Sequence, residues 1–453
     1  MKFNFFRIPS MVVVGFIGFM LLTGASEQKR PEWAATVDHY FDHLYKNSAF
    51  MGTVLVSKAG TVIYQKSWGY QDIAAGRHHE IDQPTMVASV TKSFTAAAII
   101  TLLEDGRITL EDTVSKYVPD FPKGDILTIS ALLNEQSGLD DPDWMGELYT
   151  EMTLSGLVEH IATRPFKFEP FQGSAYSNSA YILLAYIIES VSGMSYDAYL
   201  RTVFFDPLNM THTFDFSSLA GENIKVDAYL PAPAPNMLRS GPPENYSLST
   251  GAGSLVTTAR DLAKWGHGVI GHAVHDPFFI GYPYGWGRDY IDEEVYLNQS
   301  GAKERGYKSY IGVFPSEDLV VVVLDNVDSN KWPKWGVDLL EMARGKSVEL
   351  PGFPKETKWS ERKMAKLAGR YTSPDTKRFW DIHYYDDNLW LSLEGHAVHR
   401  LLTPTSETGM YLRDFFGKLE FQRFTDSSAQ SFLFLPPEDW NENIIEYSRE
   451  LRQ

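Results

Sequence analysis

Met86-Val-Ala-Ser-Val-Thr-Lys-Ser-Phe-Thr-Ala-Ala-Ala-Ile-Ile-Thr-Leu-Leu, residues 86–103, is the stretch on which the reading of this chain turns. Its apolar spacing is helical over about 92–104. Ser89 therefore stands just where a helix begins, and Lys92 lies one turn further on. A spacing of three puts both side chains on one face. The helix N-terminus carries partial positive charge that favours an alkoxide at Ser89. A lysine amine alongside can take the hydroxyl proton if burial lowers its pKa from about 10.4. The spacing alone is common, recurring at Ser26/Lys29, Ser300/Lys303 and Ser360/Lys363. Ser89 is set apart by its apolar lead-in and by a small-residue helix (Ala96, Ala97, Ala98) able to be buried behind it.

Outward from this segment, Trp33, Val37, Tyr40, Phe41 and Leu44 space a helix over residues 30–47. Residues 52–69 read as two strands around the turn Ala59-Gly60. Further helical patterns occupy about 129–134, 152–162, 179–192, 195–204 and 258–270, and Leu319 to Leu324 form a strand-like apolar run. Strands at both ends of a helical region predict an α+β domain over 26–345 whose first hairpin and last strands share one antiparallel sheet. Residues 346–360, with Pro351, Gly352 and Pro354, read as a linker. Beyond it, Trp380 to Tyr385, Leu389 to Leu393, Met410 to Leu412 and Leu419 to Phe424 predict an all-β module over 361–453, a small barrel or sandwich. No helix is expected there before the last dozen residues.

The N-terminus has the layout of an export signal. Lys2 and Arg7 precede the apolar run Met11 to Leu22, and Thr23-Gly24-Ala25 offers a small-residue cleavage site. Residues 1–25 are thus expected to direct the chain out of the cytoplasm, to a periplasmic or secreted location. Membrane contact is expected only if that segment stays uncleaved. The composition narrows the chemistry further. With no cysteine among 453 residues, thiol nucleophiles, thiolate metal sites and disulfides are excluded. A net charge of −17 and the lack of basic clusters argue against nucleic-acid binding. Pairs such as His39/His43 and His78/His79 lack a third convergent ligand in the sequence, so no metal site is expected.

Three further features follow Ser89 in order. Tyr176-Ser177-Asn178 follows a turn at Gly173 and opens an apolar helix. Gly251-Ala-Gly-Ser-Leu-Val-Thr-Thr-Ala-Arg-Asp-Leu-Ala-Lys-Trp comes next. Gln299-Ser300-Gly301-Ala302 then follows Tyr284-Gly-Trp-Gly and precedes the last strands. Together with Leu132-Leu-Asn-Glu-Gln-Ser-Gly-Leu139, these segments resemble the class C branch of the serine β-lactamase-like superfamily. That branch contains penicillin-binding D,D-peptidases, class C β-lactamases and related esterases. Its marks are S-x-x-K, Y-x-N, and K-T-G or H-x-G. The first two are matched outright over a resemblance spanning about residues 30–345, and the β-rich tail resembles a lipocalin-like appendage.

The resemblance implies that Ser89 is the acylated nucleophile, with Lys92 and Tyr176 sharing the general-base role. It implies that Asn178 holds the lysine and the substrate amide, and that the backbone N–H groups of Ser89 and Ala302 form an oxyanion hole. Gln299, Ser300 and Gly301 would bind substrate. The reaction implied is two-step acyl transfer without metal or organic cofactor, on a small-molecule or peptide substrate, cell-wall-derived material included. The third motif departs from the pattern, because Gln299 stands where the family has a cation that binds a substrate carboxylate. A neutral amide forgoes a charge-assisted bond roughly twice as strong as a neutral one. Lys303, Arg305 and Lys308 are candidates to restore that charge. An ester, amide or peptide without an obligatory carboxylate is therefore the expected substrate. True β-lactam turnover and a non-catalytic receptor or scaffold are the alternatives.

Overall fold

The computed structural model describes residues 30–142, 152–216, 226–230, 238–240, 246–275, 284–303, 306–329, 331–374, 377–385, 387–393, 400–412, 417–425, 428–435 and 445–449. The expected export signal lies outside the described residues. Arg305 does too.

The first helix, α1 (Ala34–Lys46), leads into the hairpin β1 (Gly52–Lys58) and β2 (Thr61–Trp68). The helical region holds α2 (Thr91–Glu104), α3 (Ile129–Leu133), α4 (Leu154–Ala162), α5 (Asn178–Ser192), α6 (Tyr196–Leu200) and α7 (Ala259–His275). The chain then returns through β3 (Gly287–Ile291), β4 (Glu294–Ala302), β5 (Lys308–Phe314) and β6 (Leu319–Asp325), closing with α8 (Trp332–Ala343). The four late strands join the first hairpin in one six-stranded antiparallel sheet, in the order β3-β4-β5-β6-β1-β2. This is the expected α+β arrangement, with strands from both ends of the domain sharing one sheet.

Both faces of the sheet are covered, which explains why β6 is a nearly unbroken run of valines. Leu55, Val322 and Ile311 point into the core shared with α2, α5 and α7. Their alternates Val54, Val56, Val321 and Val323 point into a second core under α1 and α8. The registers Val54↔Val323 and Leu55↔Val322 keep the two sets in step. The alternation of period two is thus present but disguised, because neither face meets water. Helix α2 is buried from Thr91 through Ile99, and its three alanines allow that close packing.

The C-terminal module is a closed eight-stranded antiparallel barrel. It runs through β7 (Gly369–Thr372), β8 (Phe379–Tyr385), β9 (Asn388–Leu393), β10 (Arg400–Pro404), β11 (Gly409–Leu412), β12 (Gly417–Thr425), β13 (Ser428–Leu435) and β14 (Ile445–Arg449). Its interior is aromatic, with Trp380 and Phe432 both packed against Tyr447 at ring-centroid distances of 4.6 and 5.1 Å. Two details differ from the expectation. A single helical turn, α9 (Glu361–Ala365), opens the module, capped by the Ser360 side chain. The segment β14 within the last dozen residues is a strand, because its pairing with β7 and β13 removes the sheet's two edges.

The barrel touches the larger domain through a buried ion cluster. Asp328, just past β6, accepts Lys308 Nζ at 2.6 Å and Arg400 Nη1, from barrel strand β10, at 3.2 Å. Asp328 and Lys308 are almost wholly buried. Removing one member of a buried pair leaves an uncompensated charge and costs about 3–5 kcal/mol. Asp328→Ala should lower stability by that order in a denaturant titration. A loss under ~1 kcal/mol would mean that the pair is solvated.

Candidate active site

Ser89 sits in a 3₁₀ turn, Ala88–Val90, that feeds directly into α2. The preceding Ala88 has φ +46°, a left-handed conformation that costs a non-glycine residue about 1–2 kcal/mol. The turn is held by packing on both sides. Strand β4 runs so close that a Cβ on Gly301 would lie 2.1 Å from Val87 O and 2.9 Å from Ser89 N. Only glycine allows β4 to pass there, and it brings the next residue, the exposed Ala302, beside Ser89. On the opposite flank, the turn Tyr284-Gly285-Trp286 presses on α2. A Cβ on Gly285 would meet Lys92 O at 2.7 Å.

Four of the residues singled out in the sequence converge. Ser89 Oγ and Tyr176 Oη share a hydrogen bond at 2.6 Å. Lys92 Nζ donates to Asn178 Oδ1 at 2.7 Å and to the Ala252 carbonyl at 2.7 Å, and lies 3.4 Å from Ser89 Oγ. Asn178 is itself oriented from behind. Asp141 accepts from Asn178 Nδ2 and N, each at 3.1 Å, from Ser179 N at 2.9 Å and from Ser177 Oγ at 3.2 Å. A carboxylate is favourable at this site, the N-terminus of α5. Because Asp141 only accepts, the amide's Nδ2 faces it and Oδ1 is left for Lys92.

The electrostatics follow from burial. Lys92 is 1% exposed. Desolvation pulls its pKa from 10.5 down to about 7, against the attraction of Glu135 and Asp141. As a neutral amine, Lys92 still supplies N–H groups to Asn178 and Ala252. Its lone pair is then the group that faces Ser89 Oγ. Tyr176 moves the other way. Half of its surface opens into the cleft, yet desolvation among the surrounding groups pushes its hydroxyl well above the usual tyrosine range. Its hydroxyl therefore keeps its proton near neutral pH, whereas the Lys92 amine can lose one.

The third motif has a local role of its own. Gln299 Nε2 donates to the Gly285 carbonyl at 2.7 Å, and its Oε1 accepts from Ser300 N at 2.9 Å. The amide ties β4 to the Tyr284–Gly287 turn while still lining the cavity beside it. Of the cations expected to replace the missing lysine, Lys308 is bound to Asp328. Lys303 Nζ reaches Ser249 Oγ at 3.0 Å. Ser300 pairs with Tyr310 inside β4 and β5.

Residues that had no assigned site role in the sequence complete the cluster. Asp141, the Ala252 carbonyl, Tyr181, Trp286 and Glu135 all face it. Glu135 follows α3 in a left-handed conformation, φ +56°. Gln136 N bonds to Ala131 O at 2.9 Å and Glu135 N to Leu132 O at 3.3 Å. This Schellman ending usually has glycine at the left-handed position. Here it swings a carboxylate into the cavity.

The sequence profile of the family described as Beta-lactamase matches residues 37–334. The chain belongs to the beta-lactamase family. Among its relatives, Protein flp of Staphylococcus aureus (strain NCTC 8325 / PS 47) is 27% identical over 339 residues, covering 69% of this chain and 66% of that protein's own length. Penicillin-binding protein 4* of Bacillus subtilis (strain 168) is 27% identical over 439 residues, 87% of this chain and 94% of its own. The fold is also shared with the octameric penicillin-binding protein homologue from Pyrococcus abyssi. That structure has a TM-score of 0.59 at 22% identity, over 91% of this chain and 99% of the other. D-amino acid amidase from Ochrobactrum anthropi SV3 superposes with a TM-score of 0.58 at 20% identity, over 69% of this chain and 97% of its own.

Two measurements read the electrostatic state of this family member's site. A base with pKa about 7 gives a kcat/KM that falls tenfold per pH unit below about 7. A profile flat between pH 5 and 8 would exclude Lys92 as the base. The folded chain binds Lys92's proton only up to about pH 7, whereas the unfolded chain binds it up to about pH 10.4. Between those values the unfolded state holds more protons, so the stability penalty of burying Lys92 is full below pH 7 and fades as pH rises. The Tm of the wild type relative to Lys92→Met should therefore rise between pH 7 and 10. A constant difference would mean that Lys92 keeps an ordinary pKa.

Proposed function

We propose that the protein is an exported serine hydrolase that works through an acyl-enzyme on Ser89, taking an ester, amide or peptide substrate of the D,D-peptidase or esterase type. One observation carries the reading: the Ser89 hydroxyl contacts both a fully buried lysine with pKa about 7 and a protonated tyrosine. Ser89 Oγ attacks the carbonyl carbon as its proton passes to Lys92 Nζ. The resulting oxyanion accepts from the backbone N–H groups of Ser89 and Ala302, each such donor being worth about 3–4 kcal/mol. The C–O or C–N bond then breaks, with Tyr176 Oη giving its proton to the departing oxygen or nitrogen. A bridging water then carries the proton from the Lys92 ammonium to the Tyr176 phenolate, which restores both groups. Water repeats the sequence on the acyl-enzyme, and Ser89 is regenerated.

Family membership supports a hydrolase, and the relatives include proteins described as penicillin-binding and as D-amino acid amidase. The engagement of Gln299 with Gly285 favours substrates without an obligatory carboxylate over efficient β-lactam turnover. Export rests on the basic-apolar-small layout of residues 1–25. N-terminal sequencing of the mature chain is expected to start just after Ala25.

Intact-protein mass spectrometry tests the reading. A fluorophosphonate should add once to the wild type and not to Ser89→Ala. A penicillin adduct, if formed, should hydrolyse slowly. Absence of any adduct on the wild type would overturn the proposal, and rapid nitrocefin turnover would overturn the view of Gln299.

A further inference from the structure

Beside the Ser89–Lys92–Tyr176 cluster lies a cavity of about 430 Å³ whose wall includes Glu135, Tyr176, Tyr181, Tyr284, Trp286 and Gln299. Its lining joins aromatic rings to one carboxylate. Among the described lining residues Lys92 is the one cation, and it is held by Asn178 and the Ala252 carbonyl. A neutral amide stands at Gln299, spanning to Gly285. A carboxylate placed here would meet Glu135, with Asp141 behind Asn178, while Lys303, among the described cations on the Gln299 side, is hydrogen-bonded to Ser249 Oγ and adds its charge at Lys92. Among the described lining residues Glu135 is the one acid, its carboxyl raised from the usual range by burial against the attraction of Lys92. Aromatic faces with a carboxylate form the arrangement that binds ammonium groups, through cation–π attraction and charge-assisted hydrogen bonds. Lys92 itself illustrates the first effect, its Nζ lying 4.7 Å from the Tyr176 ring centroid and 5.5 Å from that of Tyr181. Position 135 is also specified by the backbone. The Schellman ending of α3 points a residue into the cavity there, and the Ala175 N–H bond to Glu135 O at 3.0 Å fixes that turn against the Tyr176 loop.

We propose that Glu135 makes this cavity a subsite for a cationic group, so that the enzyme selects substrates carrying an ammonium near the scissile carbonyl and disfavours those carrying a carboxylate there. This rests on the serine-hydrolase reading of Ser89 but is separable from it. Phenethylammonium, 2-phenylethanol and 3-phenylpropionate have similar shapes and differ in charge. Each is added while a fluorophosphonate labels Ser89 in the full-length protein, and the concentration that halves the labelling rate is recorded. The cation should protect at a concentration at least about tenfold below the alcohol, and the carboxylate should protect least. In Glu135→Gln the advantage of the cation over the alcohol should fall by about tenfold, while the aromatic lining is kept. Calorimetric titration of the same three compounds into Ser89→Ala should give the same order without any labelling. Equal binding of cation and alcohol, tighter binding of the carboxylate, or an unchanged cation advantage in Glu135→Gln would overturn the proposal. Failure of the wild type to be labelled would instead overturn the hydrolase reading, leaving the calorimetric order to decide the subsite.

Discussion

Everything distinctive in this molecule depends on burying one ammonium group. A lysine inside a protein loses its hydration, and unless an anion is placed against it, it sheds its proton instead. Lys92 meets two oxygen acceptors, Asn178 Oδ1 and the Ala252 carbonyl, neither of them charged. The carboxylates Glu135 and Asp141 act on it across distance and only partly offset the loss of water. The result is an amine that changes charge near neutral pH, 3.4 Å from a serine hydroxyl. Had Asp141 faced the lysine directly, the pair would have stayed ionised, with no neutral amine beside the serine. Asn178 prevents this by standing between them, turning its Nδ2 to the aspartate and its oxygen to the lysine.

The rest of the fold keeps water away from that arrangement. Helix α2 is encased by α5, by α7 and by one face of the sheet, and its alanines permit the approach. Strand β4 is pinned against the Ser89 turn at Gly301, and the Tyr284–Gly287 turn covers Lys92 from the opposite flank. The strained φ at Ala88 is sustained by these neighbours on both sides. A local conformation that the isolated segment would avoid thus becomes stable in a packed setting. The ion cluster at Asp328 extends the same framework to the barrel through Lys308, the residue opposite Ala302 in the β4–β5 ladder.

Much of this was legible in the sequence because local patterns and local geometry coincide there. The 3.6-residue spacing of Trp33 to Leu44 and the alternation around Ala59-Gly60 are statements about one element each, and both elements formed. Ser89, Lys92, Tyr176 and Asn178 were readable because their motifs sit at element starts, where backbone geometry fixes direction. Less legible were features set by tertiary contact. Helix α8 carries Pro333 in its first turn and mixed polarity, and what stabilises it is the second face of the sheet. Strand β14 is short and polar, and barrel closure supplies its partners. Glu135 stands inside the Leu132–Leu139 segment without a role of its own in the sequence, since nothing local shows that a left-handed helix ending aims it at the cavity. The role of Gln299 depends on a carbonyl fourteen positions earlier, which only the folded chain brings near.

A neutral Lys92 in the folded protein at mildly alkaline pH is the state on which the rest of the site depends. It is tested most directly by NMR titration of protein labelled at the lysine side-chain Cε and Nζ. One lysine signal is expected to titrate near pH 7, well separated from the others near 10.4, and to vanish in Lys92→Met. A spectrum in which every lysine titrates at or above about pH 10 would contradict it.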